Sequence, residues 1–209
     1  MRDIYRTLRD AADASEYVLT EKKSKFIAAG GCAFSESEAA DIINTARIKH
    51  NAASHHVYAY RFEPFEKYSD DGEPSGTGGL PVLSLLQKSG LQYCCIVVTR
   101  YFGGTLLGAG GLARAYGAAA KGFADLNAVT RAKRLIVDVT SDYQSANILQ
   151  KVIERESLAC EGVEYGEKVS FKLLCPLEKY GELGVKIQNA ANGKAEILLL
   201  GEKYVLEPG

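Results

Sequence analysis

Residues 68–121 read YSDDGEPSGTGGLPVLSLLQKSGLQYCCIVVTRYFGGTLLGAGGLARAYGAAAK, and this stretch decides the fold that we expect for the first half of the chain. It begins with an acidic, glycine-rich loop, Ser69 to Gly79, and continues through a short apolar helix to a buried strand, Tyr93 to Thr99. A second glycine-rich loop, Gly103 to Gly111, opens directly into a helix of small residues. Glycine permits positive φ and a close approach of other groups, but it loses more entropy on folding than any other residue. Two such loops around one strand therefore predict a place where chain segments or a ligand come very close to the backbone.

The residues before this stretch predict two helices and three strands. Residues 1–15 carry charges at almost every third position and predict a short helix. Three lysines within residues 22–25 separate the first two strands and predict a tight basic turn, which either meets phosphate or is a solvated hairpin tip. Ser35 and Glu38 have the spacing of a capping box, which marks the start of the second helix. The remaining elements are strand 17–20, strand 26–32, helix 36–49 and strand 56–62.

The second half of the chain predicts a separate domain. Residues 124–130 are a plausible boundary, so we expect domains at 1–128 and 129–209. Ser141 and Gln144 mark the start of a helix. The elements expected after the boundary are strand 135–139, helix 143–156, strands 158–165 and 169–174, a helix from Pro176 closed by Asn192 and Gly193, and strand 195–200. This βαββαβ order is the ferredoxin-like arrangement, which implies no activity by itself. By analogy, an open sheet of this type serves as a docking or RNA-facing surface.

Composition limits the classes of protein to which the chain can belong. Its 209 residues, 46% of them hydrophobic, are enough to bury a core. No apolar run approaches the length of a membrane span, and the charged start lacks a signal peptide, so we expect a soluble, cytoplasmic protein without membrane contact. Five cysteines without a C-x-x-C pair predict reduced thiols. The net charge of -1 excludes a globally basic nucleic-acid binder, and residues 1–128 carry 14 basic against 14 acidic side chains. Any nucleic-acid binding must therefore be local.

The three histidines lie close together in sequence, at His50, His55 and His56. Imidazole and carboxylate groups suit zinc, and Asp70 and Asp71 are candidates for the same site. However, adjacent residues on a strand point to opposite faces, so His55 and His56 cannot both face one ion. We therefore predict no metal and no cofactor, and we expect structural or ligand-facing histidines.

Each glycine loop has two interpretations. In the first loop, Asp70 and Asp71 either brace their own backbone or, together with Ser75 and Thr77, face a ligand. The second loop opens into a helix, whose N-terminal amides at residues 108–111 favour an anion.

The second loop fits neither nucleotide motif well. It begins like a P-loop, but Ala109 and Gly110 stand where Lys and Ser or Thr are required. A dinucleotide fingerprint is weak, because eight residues separate Thr99 from Gly108. Arg100 and Arg114 flank the helix start, and we predict that they contact phosphate there.

The motifs SDDGEPSGTGG and RYFGGTLLGAGGLARAYG resemble those of the YigZ/IMPACT family, as do the segments KKSKFIA and HHVYAYR. The resemblance implies an α+β protein. Its N-terminal domain is expected to be an α/β sandwich like the second domain of ribosomal protein S-five and domain four of elongation factor G, with helices on one face of a sheet and the other face partly open. A ferredoxin-like βαββαβ domain is expected to follow it.

The resemblance also implies a function. Eukaryotic relatives are translation regulators that compete for the activator of a starvation-sensing kinase, and no established reaction comes with the family. We therefore expect a noncatalytic regulator of translation or stress response that binds structured RNA, the ribosome or a translation-regulatory protein. The alternative is a hydrolase or phosphotransfer enzyme that binds a nucleotide phosphate and uses Asp70, Asp71 and His55 as acid and base groups. A third interpretation makes the acidic loop a protein-binding surface. The oligomeric state stays open.

The expected binding residues combine the motif positions with the loop positions. They are Lys25, His55, Arg61, Ser69, Asp70, Asp71, Glu73, Ser75, Thr77, Arg100, Tyr101, Gly103, Gly104, Gly108, Gly110, Gly111 and Arg114.

Overall fold

The computed structural model describes residues 3–207, and these divide into two compact units. The first unit contains the residues up to Thr130 together with Glu207, and the second is Arg131–Leu206. The expected domain boundary at residue 128 falls where the last helix of the first unit ends.

The first unit is a five-stranded antiparallel sheet with three helices and one further strand. Its elements are β1 (Ile4–Leu8), β2 (Tyr17–Glu21), β3 (Ser24–Cys32), α1 (Glu36–Lys49), β4 (His55–Phe62), β5 (Phe65–Ser69), α2 (Gly79–Lys88), β6 (Cys94–Tyr101) and α3 (Gly108–Asn127). The sheet order is β2-β3-β6-β4-β5, so the strand between the two glycine loops lies at its centre. Hydrophobic side chains such as Val98 and Ile96 are fully buried there, as the β-branched sequence of this strand predicts.

Helices cover both faces of this sheet. On one face the ring of Phe26 in β3 packs edge-on against Tyr116 of α3, with centroids 5.0 Å apart. On the other face the thiol of Cys95 lies against the carbonyl of Ala39 in α1. Helix α1 therefore covers part of the face that the family resemblance leaves open. Ser35 caps α1 by accepting the N–H of Glu38, as the capping-box spacing predicts.

Two strands of the first unit differ from the sequence prediction. The helix expected over residues 1–15 is wrong, because residues 4–8 form β1, in which side chains alternate largely between exposed and buried positions. Its contacts are distant in sequence: Thr7 donates its hydroxyl to the carbonyl of Tyr93, and the N–H of Gln92 donates to Arg6. Pairing with distant residues thus overrides a local charge pattern. Strand β5, which pairs with β4, is not predicted by the sequence pattern.

The predicted tight basic turn is confirmed. Glu21 pairs with Ser24 across the β2–β3 hairpin, so Lys22 and Lys23 form a two-residue loop. Their φ angles are 43° and 68°, the left-handed region that a type I′ turn requires at both positions. Lysine is not favoured in this conformation, in which Asn and Gly are the preferred residues.

The second unit contains the predicted βαββαβ order. Its elements are β7 (Ala128–Ser141), which begins in the first unit, α4 (Tyr143–Arg155), β8 (Ala159–Tyr165), β9 (Val169–Pro176), a 3-10 turn (Leu177–Lys179), α5 (Tyr180–Ala190) and β10 (Glu196–Leu206). The strands pair antiparallel in the order β10-β7-β9-β8, over a core that includes Val137, Leu149 and Leu173. Asp142 caps α4 by accepting the N–H of Ser145 at 2.8 Å, so the predicted cap at Ser141 is wrong by one residue.

The strained turn generates a prediction on stability. Replacing Lys22 by Asn and Lys23 by Gly should raise the free energy of unfolding by about 1 kcal/mol, because both replacements tolerate positive φ. Urea denaturation of the wild type and the double variant measures this difference. The double variant Lys67→Asn, Lys88→Gly changes two exposed lysines elsewhere in the first unit. It serves as the control and should not stabilise the protein. A lower stability of the turn variant would contradict the type I′ assignment.

Candidate functional site

The first glycine loop folds around the carboxylate of Asp70. This carboxylate accepts three backbone N–H groups, from Gly76 at 2.8 Å, Gly78 at 2.9 Å and Gly79 at 2.8 Å. Burial alone raises the pKa of Asp70, but the three donors outweigh it and hold the pKa below its usual value of 3.8. Asp70 therefore stays ionised because the loop backbone surrounds it with N–H donors.

The polar groups of Asp71 also make hydrogen bonds inside the protein. Its φ of 45° places it in the left-handed region, and its carboxylate accepts the N–H of His56 at 2.6 Å and a guanidinium N–H of Arg47 at 3.1 Å. Its carbonyl oxygen lies 2.8 Å from Nδ1 of His55. Of the two interpretations of the acidic loop, the contacts of both aspartates favour the bracing one.

The three hydroxyl side chains of this loop differ in whether they make hydrogen bonds inside the protein. Ser69 accepts the N–H of Asp71, and the hydroxyl of Thr77 donates to the carbonyl of Pro74 at 2.6 Å. Ser75 is exposed. Of these three side chains, only Ser75 faces solvent without an internal hydrogen bond among the described residues.

A buried carboxylate, Glu73, joins the first glycine loop to strand β6 and helix α3. Its side chain is only 3% exposed and accepts a guanidinium N–H of Arg100 at 2.8 Å and the hydroxyl of Tyr116 at 2.7 Å. The Nε2 atom of His55 lies 3.9 Å from the same carboxylate. Burial, together with the negative charge of Glu73, raises the pKa of Tyr116 far above its usual value. One side chain of the acidic loop thus fixes the central strand β6 and the helix α3.

Arg100 is part of this buried network and not of the surface. Its residue exposure is 5%, and a second guanidinium nitrogen donates to Ser24 at 3.3 Å. The guanidinium carbon lies 5.5 Å from the ring centroid of Phe26 and 5.4 Å from that of Phe102. The prediction that Arg100 and Arg114 together contact a phosphate is therefore wrong for Arg100, because its charge is already paired with Glu73.

The second glycine loop is fixed against the basic turn. A Cβ on Gly103 would lie 2.1 Å from the carbonyl carbon of Lys23, so only glycine fits there, and the N–H of Gly103 donates to Ser24. Gly104 and Gly108 have φ angles of 80° and 70°. Helix α3 starts at Gly108, within the predicted second glycine loop, and no side chain caps its first turn. Amides of residues 108–111, which include Gly110 and Gly111, therefore lie at an uncapped helix start.

Three cations lie around this contact between the second glycine loop and the basic turn, and we call them the basic patch: Lys22, Lys23 and Arg114. All three are exposed. Lys22 and Arg114 line a cavity of 290 Å³ whose other walls include Leu107 and Glu21. Phe102 and Leu106, on the same loop, are 49% and 84% exposed. The structure thus brings Arg114 of the predicted site together with Lys22 and Lys23, which are not among the predicted site residues. Their signal is the adjacent lysine pair at the hairpin tip. The predicted Lys25 is exposed and pairs with Tyr101 across β3 and β6, so its side chain lies on the opposite face of the sheet from Phe26 and α3.

Two further predicted residues, Arg61 and Tyr101, lie away from the basic patch. Arg61 pairs with Glu66 and lies at the opposite end of β4 from His55, about 20 Å away. The hydroxyl of Tyr101 lies 3.1 Å from Nδ1 of His50. His56 contacts the His50 carbonyl, and burial lowers the pKa of His56 against the opposing charge of Asp71.

Within residues 3–207, no three His, Cys, Asp or Glu side chains converge as a metal site would require.

The buried network generates a stability prediction. Glu73→Gln should lower the free energy of unfolding by about 3–5 kcal/mol, because it leaves the Arg100 charge buried without a counter-charge. Adding Arg100→Met should recover part of this loss, since the unpaired charge is then removed. Chemical denaturation of the two single variants and the double variant measures the coupling. Additive losses would contradict a coupled buried pair.

The N–H donors around Asp70 generate a pH prediction. A folded pKa below 3.8 means that the stabilisation by this carboxylate is complete above that value and is lost as the pH falls through the folded pKa. The stability advantage of wild type over Asp70→Asn should therefore be constant near neutral pH and shrink below about pH 4. Urea denaturation across this range measures it, with Asp125→Asn as the baseline for an exposed carboxylate. An advantage that does not change with pH would refute the assignment.

Comparison with known proteins agrees with this architecture. Residues 22–124 match the model of the Impact N-terminal domain, a range that contains both glycine loops and the buried network. Across 96% of this chain and 98% of the other, the fold is similar to that of a solved structure titled "Crystal structure of an hypothetical protein", with a TM-score of 0.59 and 25% identity.

Curated relatives extend the match to most of the chain. The IMPACT family member YvyE of Bacillus subtilis (strain 168) is 33% identical over 189 residues, which cover 88% of this chain and 87% of YvyE. The IMPACT family member YigZ of Escherichia coli (strain K12) is 30% identical over 192 residues, 87% of this chain and 92% of YigZ. The protein IMPACT homolog of Dictyostelium discoideum is 42% identical over 97 residues, 43% of this chain and 28% of that protein. The chain therefore belongs to the YigZ/IMPACT family.

Proposed function

We propose that this protein is a noncatalytic regulator linked to translation, and that the basic patch is its contact with structured RNA. The carrying observation is the unbalanced positive charge where the second glycine loop meets the basic turn. Among the residues that the structure describes, none of the three patch cations pairs with a carboxylate, and the adjacent cavity contains the single acid Glu21. Membership in the YigZ/IMPACT family supports the link to translation.

The chemistry of the patch suits a phosphate backbone. Lysine and arginine side chains supply most phosphate contacts in nucleic-acid complexes, and an uncapped helix start adds backbone N–H donors. Phe102 and Leu106 offer exposed apolar surface at the edge of the patch, where an unpaired base can stack. The patch thus combines the two types of contact that RNA recognition uses.

The residues proposed for catalysis support a binding role better than an enzymatic one. The carboxylates of Asp70 and Asp71 accept backbone N–H groups, so their lone pairs are already used inside the protein. His55 contacts the loop backbone through Nδ1. A general base needs a lone pair that faces a substrate, and the bracing contacts of both aspartates do not favour this.

A nucleotide-phosphate enzyme is the second candidate, and one observation favours it. The 290 Å³ cavity beside Lys22 and Arg114 is close in size to pockets that hold small ligands. A rise in melting temperature with a mononucleotide, lost in Arg114→Gln, would support this candidate. A rise with RNA alone would support the first.

The RNA proposal gives a prediction on binding and salt. The variant Lys22→Asn, Lys23→Gly, Arg114→Gln should bind a structured ribosomal RNA fragment at least about tenfold more weakly, and its salt slope should fall by roughly 2 to 3. Fluorescence anisotropy at several salt concentrations measures both quantities. The two turn replacements suit the positive φ values, so a loss of affinity reports the lost charge and not a misfolded hairpin.

A matched control removes three other cations of the first unit. The variant Lys67→Gln, Lys88→Gln, Lys121→Gln changes the net charge equally and should keep wild-type affinity. Equal losses in the two variants would show non-specific charge attraction, and a wild-type protein without RNA affinity at low salt would overturn the proposal.

A further inference from the structure

A second cavity of the first unit lies away from the basic patch and shares no residue with it. It is a groove of 450 Å³ between α1 and the segment that precedes β2, with β3 as its floor. Its lining residues are Ala11, Ala12, Ala14, Glu16, Ala29, Gly30, Asp41, Ile42, Thr45, Ala46 and Lys49. Its volume is typical of pockets that bind small organic ligands, about 300–1,000 Å³.

The groove is lined mainly by small apolar groups because of its sequence. Five alanines and one glycine line it, so no large side chain fills the space between the helix and the strand. On α1 the lining positions recur as one stripe, from Asp41 through Thr45 to Lys49, which spans about 12 Å of helix. The groove therefore matches the length of a small elongated molecule.

Its outer wall is held in place. The carbonyl of Arg9 accepts the N–H of Cys32, and the amide side chain of Asn127 makes two hydrogen bonds to the backbone of Ser15. Asn127 is itself buried. Because both ends of the wall are fixed to the core, the groove is preformed, and a ligand does not have to order it.

The charged side chains of the groove determine which charge a ligand should carry. At one end Lys49 pairs with Glu16 at 2.6 Å, and Nε2 of His50 lies 3.7 Å from the same carboxylate. These neighbours lower the pKa of Glu16 in spite of its burial, which acts the other way. At the other end, the carboxylate of Asp41 is exposed and contacts no cation among residues 3–207. The groove thus carries one unpaired negative charge beside an apolar channel.

The geometry points to a binding site for a small organic cation, an ammonium or guanidinium group attached to an apolar body. The cation pairs with Asp41, and the apolar body lies along the alanines toward the Glu16–Lys49 pair. Six of the eleven lining residues are alanine or glycine, so the apolar body needs no hydrogen bonds of its own. This site is independent of RNA binding at the basic patch.

Two matched probes test the proposal on the full chain. In two-dimensional NMR with amine-free buffer, phenethylamine at millimolar concentration should shift amides of residues 11–16 and 41–49 saturably. The carboxylate 3-phenylpropionate has a similar body and the opposite charge, and it should leave them unchanged. Similar responses to the two probes, or no response to the amine, would overturn the proposal.

Variants locate the site. Asp41→Asn should weaken phenethylamine binding by about tenfold or more, since the charged partner is lost. Thr45→Phe should abolish binding by filling the groove from an exposed helix position, and Asp125→Asn on α3 is the control that keeps it. Unchanged affinity in Asp41→Asn refutes the cation site. If a short lysine-containing peptide binds where the amine does not, the small-molecule assignment is wrong and the groove binds a protein segment.

Discussion

The first unit depends on one buried charge, the carboxylate of Glu73. Removing this carboxylate and the Arg100 guanidinium from water is costly, and their 2.8 Å contact must offset that cost. The Nε atom of Arg100 has no hydrogen-bond partner among the described residues, so the network is not fully satisfied. A fully apolar cluster of the same size would be at least as stable. The network instead fixes which segments meet, because loop, strand and helix each supply a group that no other segment can replace.

Because of this constraint, the acidic side chains of the first glycine loop are used inside the protein, whereas the cations of the basic patch face solvent. Asp70, Asp71 and Glu73 face inward, where backbone N–H groups, Arg47, Arg100 and Tyr116 occupy their oxygens. The cations of the basic patch remain outside. A unit with nearly equal numbers of acids and bases can therefore present a local positive surface, because many of its acids are used internally. The glycines support the same division, since Gly103 allows the second loop to lie directly on the basic turn.

The sequence predicts the periodic parts of this structure and the loops between them, but not the partners inside the loops. Helix α1, the β2–β3 hairpin and the βαββαβ order follow from spacing and turn chemistry, which are local properties. Strand β1 could not be predicted, because its partners, strand β7 and the residues near Gln92, are distant in the chain and leave no periodic signal in five residues. The sequence favours a surface position for Arg100 for a related reason. A charged residue near a glycine loop suggests a ligand, and only the structure shows that a buried carboxylate 27 positions away already pairs with it.

The basic patch and the groove beside α1 are two surfaces of opposite character that both adjoin strand β3. The turn residues Lys22 and Lys23 precede this strand at the patch, and Ala29 and Gly30 form the floor of the groove farther along. Between them a Cβ on Gly30 would lie 2.2 Å from the carbonyl oxygen of Cys95, so β3 and β6 are in close backbone contact. Close packing does not by itself transmit a signal, since coupling requires an element with two arrangements. The two surfaces should therefore act independently, each with its own ligand, and the buried network maintains both by holding the same sheet.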